Sequence, residues 1–386
     1  MKHATIYITG LAGLLLSATA MADNTVIYGK INLALETVSA KGATDGHSNI
    51  PSGQRVTSNL SYLGFRGEEN LGNGTSAVWQ VEQDINPDNC NNCGFANRTS
   101  FVGLKGDDWG RLVVGRYDLY WTSHLAALDK HVVQAGVAGM ILSVFGTYGG
   151  YTPLGKSSVT TSLMGGRAIN VVRYDTPRVN GLAGSLNYST SEQKTGNGSP
   201  SAVQVELDYK DGPVIANLSY LHANSSNGSL TNTGGVASEP GMSADAVKFV
   251  GSYTFSQGTV LGLGGESLRT HYSEGNVSRM AYGMHLGQEL TPHTYVGMTY
   301  GRAGNVSSSI AGSATTDKTD AHFLSLLTTY NFTKRTMVYA EYARIFNSAN
   351  AGYYFVSTGN LNATAAMPAG KGADPMTFMV GMNHLF

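Results

Sequence analysis

Thr377-Phe378-Met379-Val380-Gly381-Met382-Asn383-His384-Leu385-Phe386 carries Phe378, Val380, Met382 and Phe386 on a single parity. Successive side chains of a β-strand point to opposite faces, so the stretch reads as a strand with one apolar face and an aromatic last residue. The other end of the chain reads as an export signal. Met1-Lys2-His3 is basic, Ile6 to Leu16 is apolar but too short to cross a bilayer as a helix, and Ala20-Met21-Ala22 has the small-x-small form of a signal-peptidase site. Residues 1–22 are therefore expected to be cleaved, leaving 23–386 as one barrel domain. An uncleaved anchor is the competing reading; the short run and the A-x-A site weigh against it. A removed leader and an amphipathic terminal strand together point to a barrel in the outer membrane of a Gram-negative cell.

Composition agrees. No apolar stretch after residue 22 reaches the ~18–20 residues that a membrane helix needs. Charged residues make up 13% of the chain, well under the ~25% usual in soluble domains. A barrel can do with less charge because lipid covers much of its outside. The net charge of -1 gives no reason to expect a nucleic-acid partner. No linker or break in composition divides the mature chain.

Period-two segments recur along it. In Val203 to Lys210 the apolar Val203, Val205, Leu207 and Tyr209 alternate with Gln204, Glu206, Asp208 and Lys210. The same pattern appears at Ile27 to Leu35, Val247 to Phe255 and Met280 to Leu286. One such segment is weak evidence, but a series without helical interruption is strong. The connections differ in length. Short ones are Asp107 to Gly110, Val179 to Gly181, Asp211 to Pro213, Ser256 to Gly258, Thr291 to His293 and Thr333 to Arg335. Long ones are Ser39 to Gln54 and the stretches near 118–166, 224–244, 304–319 and 347–373. Short turns on one side and long loops on the other is the asymmetry of an outer-membrane barrel, and the count gives about sixteen strands around a water-filled lumen. A soluble β-sandwich or propeller also alternates, yet it would rarely end so many apolar faces on Tyr. Tyr174, Tyr188, Tyr209, Tyr220, Tyr253, Tyr282, Tyr300 and Tyr330 suggest interfacial girdles.

Several motifs resemble one family in order along the chain. Leu63-Gly64-Phe65-Arg66-Gly67-Glu68-Glu69-Asn70-Leu71-Gly72 resembles the second-strand motif of Gram-negative general-diffusion porins. Phe101 to Gly106, Gly110-Arg111-Leu112 and Gly115-Arg116 resemble their fourth and fifth strands, and Val172 to Pro177 the start of the sixth. Thr333 to Tyr339 resembles the penultimate hairpin, and Val380 to Phe386 the closing strand. The beta-proteobacterial branch is the most similar. The resemblance implies a 16-stranded antiparallel transmembrane β-barrel with an inward-folded third loop, assembled as a homotrimer. It also implies contact with outer-membrane lipid and lipopolysaccharide, and delivery by barrel-assembly machinery through Phe386 as terminal signal. Two departures stand out: Tyr62 occupies a position where many members have Arg, and Asn383 replaces a usual basic residue, a change expected to affect only strand-end contacts.

The implied function is passive diffusion of small hydrophilic solutes and ions, without chemistry. A constriction selects by its width and by the charges that line it. Parity and resemblance put Lys30, Arg66, Arg98 and Arg173 on the inner wall, with Arg66 alternatively a solvated charge near the periplasmic strand end. The stretch from Tyr117 to Gly166 falls where the family places its constriction loop and carries Asp118, Asp129, Lys130 and Lys156. A basic wall facing an acid-poor loop favours small anions modestly; neutralisation of the cations by Glu68, Glu82 and Asp84 is the opposing reading. A channel with a dedicated substrate, a barrel enzyme and a loop-mediated adhesin are the alternatives.

Gly150-Tyr151-Thr152-Pro153-Leu154-Gly155-Lys156-Ser157 matches a P-loop pattern, but no strand-and-helix unit surrounds it, so no nucleotide site is expected. Cys90-Asn91-Asn92-Cys93 lacks a second cysteine pair for zinc and a redox-type βαβ context. In an oxidising compartment it is expected to close a small disulfide loop of little stabilising effect. His222, His285 and His384 lie on strand segments with no sequence reason to pair with a serine. Asp317 and Asp320 are too few for a cation site. No cofactor or metal is expected. Amino-terminal sequencing of the exported protein is expected to begin at Asp23; an intact Met1 would reject the cleavage reading.

Overall fold

The computed structural model describes residues 25–44, 46–88, 95–118, 124–153, 167–190, 200–225, 242–355 and 370–386. Sixteen antiparallel strands close into a barrel. The first eight are β1 (Val26–Lys41), β2 in two parts (Ile50–Ser58 and Tyr62–Gly72), β3 (Thr75–Asp84), β4 (Ser100–Gly106), β5 (Gly110–Asp118), β6 (Arg167–Asp175), β7 (Leu182–Thr190) and β8 (Ser201–Asp211). The second eight are β9 (Val214–Ser225), β10 (Met242–Thr254), β11 (Thr259–Tyr272), β12 (Gly275–Glu289), β13 (Thr294–Ala303), β14 (Ala321–Asn331), β15 (Thr336–Asn347) and β16 (Asp374–Leu385). Each pairs with its sequence neighbour, and β16 returns to β1 from Lys30↔Leu385 to Lys41↔Asp374.

The register carries the alternation through the wall. Residues opposite one another in an antiparallel pair share a face. Leu35, Leu207, Phe249, Leu286 and Val380 all point outward, and these large apolar side chains are left 62%, 48%, 45%, 46% and 52% uncovered. In water that would forfeit roughly 25 cal/mol for each Å² exposed; against hydrocarbon it is the favourable arrangement. All eight tyrosines expected in girdles share this outward face, Tyr209 and Tyr300 half-buried and the other six exposed.

Connections at one end are short: 73–74, 107–109, 176–181, 212–213, 255–258, 290–293 and 332–335. The other end carries 42–49, 85–99, 119–166, 191–200, 226–241, 304–320 and 348–373. The asymmetry expected from sequence has one exception. β11 and β12 join through residues 273–274 alone, with Tyr272↔Gly275 as the last pair, so one member of the long-loop end is a two-residue hairpin.

The seam is closed by the last residue. Gly29 and Phe386 exchange two main-chain hydrogen bonds of 3.1 Å, extending the β1–β16 ladder by one pair. The Phe386 ring lies over Gly29, where an added Cβ would stand 2.5 Å from the ring's Cζ. Gly29→Val is therefore expected to destabilise the barrel by about 1–3 kcal/mol through overpacking. The check is the heat-modifiable mobility of the folded protein on gels, which should shift to a lower melting temperature.

Candidate pore constriction

Residues 124–153 of the connection between β5 and β6 fold into the lumen. This segment forms a short helix, α1 (Lys130–Gln134), and one-turn 3-10 segments at Leu125–Ala127, Val137–Gly139 and Ile141–Ser143. Its apolar residues, among them Leu128, Val132, Ile141 and Phe145, pack on inward residues of β12 to β15 that mix small side chains, such as Ala281, Ala303, Ala321 and Ala343, with large ones, such as Phe323 and Ile345. The molecule's principal buried cluster therefore lies between loop and wall.

Polar anchors fix the loop's path. β2 is interrupted at 59–61, where Leu60 takes a φ of 59°. The break is used: Asn59 Oδ1 accepts the Val137 N–H at 3.1 Å. Asn32 donates to the Ala135 carbonyl at 2.8 Å, and Asn383 to the Gln134 carbonyl at 3.0 Å. Asn383 thus supports the constriction loop, which corrects the expectation that its replacement touches only strand-end contacts. Glu341 accepts the Gly136 N–H at 3.1 Å. Glu266 accepts the Gly146 N–H at 2.8 Å and pairs with Arg279 at 2.6 Å, while Arg279 donates to the Val144 carbonyl at 2.6 Å. Both members of that pair have side chains 0% exposed. Removing one partner of such a pair costs roughly 3–5 kcal/mol because the other charge is stranded.

Asp129 belongs to this anchoring set. It lies in the loop, as expected, but is only 3% exposed and does not face the channel as a pore acid would. One oxygen caps α1 through the His131 N–H at 3.0 Å. The other accepts the Tyr295 hydroxyl at 2.9 Å and stands 3.0 Å from His285 Nε2. Burial by itself would raise the Asp129 carboxyl, but the hydrogen bond to His285 and the charges of His285 and His131 outweigh it and bring it down to about 2. Lys130, the next residue, is exposed.

Across the lumen stands the β1–β8 wall. Lys30 points inward opposite Tyr62, one inward position below Asn32 and hence at the level of the loop. Arg66 is exposed and lies opposite Val26, nearer the short-turn end, with its guanidinium over the Tyr28 ring at 5.0 Å. Arg98 pairs with Glu82 and, at 2.6 Å, with Asp84. Arg173 pairs with Asp175 at 2.6 Å and Glu206 at 3.3 Å. Asp118 is the last residue of β5 and faces Arg167 at 3.0 Å. Glu68 takes Lys105, at 3.4 Å, as its partner. Among the described residues Lys30 and Arg66 make no ion pair. Lys156, Cys90 and Cys93 lie outside the described residues, as does the 1–22 leader; of the P-loop match only Gly150 to Pro153 is described.

Sequence reasoning missed Asn32, Asn59, Glu266, Arg279 and Glu341. All but Asn59 occupy inward parity on strands, so a polar residue recurring on the inner face was a readable signal; what each would bind was not.

A closed barrel with an apolar exterior, and a lumen narrowed by a strapped-in loop facing a charged wall, defines a transmembrane channel-type protein. The chain belongs to the Gram-negative porin family, whose profile matches residues 8–350, and it resides in the outer membrane. It is 31% identical over 225 residues to the major outer membrane protein P.IB of Neisseria gonorrhoeae, an alignment covering 57% of each chain. The match thus spans little more than half of that relative's length. An anion-selective porin from Comamonas acidovorans shares the fold with a TM-score of 0.72 at 20% identity, over 94% of this chain and 99% of its own. A trimer form of OmpT from Vibrio cholerae does so with a TM-score of 0.61 at 11% identity, over 94% and 99%.

A carboxyl depressed in the folded state contributes stability above its unfolded value and loses it as pH falls. The ionised Asp129 carboxylate should therefore support the loop above about pH 4 and lose that support as pH falls toward 2. Open-channel current is expected to stay quiet at neutral pH and become noisy only below about pH 4, and Asp129→Asn should make it noisy at neutral pH.

Proposed function

We propose that the protein is a general-diffusion channel, passing small hydrophilic solutes and ions down their gradients with a mild preference for anions. The observation that carries this reading is the one-sided seating of the loop. It is anchored to β8–β16, β1 and the break in β2, while Arg66 and the half-buried Tyr28, Tyr62 and Arg111 remain accessible on the wall from β1 to β5. The anion preference rests on the balance of charge. Arg98 and Arg173 are matched by carboxylates, whereas Lys30 and Arg66 are not. The exposed Arg66, with Lys30 buried behind the wall surface, biases the field of a narrow passage modestly, which favours a mild rather than a strict selectivity.

The protein performs no catalysis in this reading. His222 and His285 are held by Asp245 and Asp129, and among the described residues neither pairs with a serine. Residues 1–22 serve as the export signal, Phe386 as the assembly signal read by barrel-assembly machinery, and Cys90–Cys93 as a disulfide in the second loop. The barrel associates as a homotrimer, with its free outer faces against lipid and lipopolysaccharide.

The test is conductance of the purified full-length protein in a planar bilayer. Steps grouped in threes and a reversal potential of anion sign under a KCl gradient are expected, and Lys30→Glu should move that potential toward the cation side. A folded barrel that conducts nothing would reject the channel reading in favour of an enzyme or adhesin.

A further inference from the structure

The constriction-side wall carries an arrangement that simple ion passage does not require. Two aromatic pairs face the lumen. Tyr28 and Tyr62 meet edge to face with centroids 6.1 Å apart, and Phe101 and Tyr117 lie 5.8 Å apart. Each pair is flanked by guanidinium groups. Arg66 lies 5.0 Å over Tyr28 and Arg98 4.9 Å over Tyr62. Arg111 lies 5.3 Å from Phe101, and Arg173 lies 4.5 Å from Tyr117. The register links the pairs, since Arg66 faces Gln80 and Gln80 faces Phe101. Two strand spacings, about 10 Å, therefore separate Arg66 of the first group from Phe101 of the second.

The rings are held in place. The Tyr28 ring lies across Gly64, whose missing side chain makes room for it, and its hydroxyl donates to Glu82 at 3.1 Å. All four aromatic side chains keep part of their surface uncovered. The charge beside the first pair is cationic: Lys30, Arg66 and Arg98 stand against Glu82 and Asp84; Arg98 is ion-paired to both carboxylates, Lys30 is buried near Glu82, and Arg66 is exposed with no ion pair among the described residues.

Inside a water-filled channel, ordered aromatic surface gains nothing from chloride or a small aliphatic acid, each of which is attracted by charge alone. A planar aromatic carboxylate gains twice: its ring stacks on an aromatic or guanidinium plane, and its carboxylate meets an unmatched cation. Because the rings are already fixed, little ordering cost opposes binding.

We propose that the Tyr28–Tyr62 wall, with the exposed Arg66, is a binding step for planar aromatic monocarboxylates. This rests on the channel reading above and names a solute class for it. The second pair extends the same surface along the wall.

The probes are benzoate and cyclohexanecarboxylate, which share charge and approximate size but differ in planarity and π surface. Each is added to the full-length protein in a planar bilayer after its KCl steps have been recorded. Benzoate is expected to reduce the current saturably, with an apparent affinity about three- to tenfold above that of cyclohexanecarboxylate. Tyr62→Leu should abolish the difference and Tyr62→Phe should retain it. Equal action of the two acids on the unaltered channel, or discrimination that survives Tyr62→Leu, overturns the proposal while leaving the channel reading intact. Absence of KCl steps in the unaltered protein counts against the channel reading itself.

Discussion

Everything in this molecule depends on satisfying the main chain in hydrocarbon. An unpaired N–H or C=O in a bilayer costs several kcal/mol, and a sheet escapes that cost only by having no edge. The β1–β16 ladder removes the edge, and the Gly29–Phe386 pair carries it through the last residue. Closure in turn creates an inside and an outside. Once the outer parity is committed to lipid, the inner parity is free to be polar, and the whole function is written on that inner face.

The inner face performs two tasks on opposite sides of the lumen. From β8 round to β16 and β1 it holds the constriction loop, with small residues admitting the loop's apolar side and Glu266, Arg279, Glu341, Asn32 and Asn383 binding its main chain. The loop's short helical turns leave peptide groups unpaired, so the wall must supply partners. This explains why charged groups are buried where the lumen is filled, and why β2 breaks at Asn59 instead of running on. From β2 to β7, and at the short-turn end of β1, the inner face stays partly open, and its ionic groups meet the solute path.

Charge on that open wall cannot be judged by counting residues. Four basic side chains were readable on inward positions, but a guanidinium locked to carboxylates presents little net field. Arg98 and Arg173 are so locked, whereas Lys30 and Arg66 are not. Tyr62 likewise does more than remove a cation, since it supplies an aromatic face beneath Arg98. The same logic moves Asp129 from pore acid to loop anchor, because its partners His285 and Tyr295 come from strands more than a hundred residues away.

Strand number and the outward tyrosines were legible in the sequence, because they follow from period two and turn composition, both of which are local; the place of the inward-folded loop came from the family resemblance, and the inward set of Lys30 from parity together with it. The two-residue turn at 273–274 escaped although Ser273-Glu274-Gly275-Asn276 has turn composition, because so short a turn does not stand out where a long loop is expected. Which inward polar groups clasp the loop, which cations remain unmatched and which rings lie together were decided only when barrel closure set distant strands side by side. Alternation is a property of neighbours in the chain; pairing of charges is a property of neighbours in space.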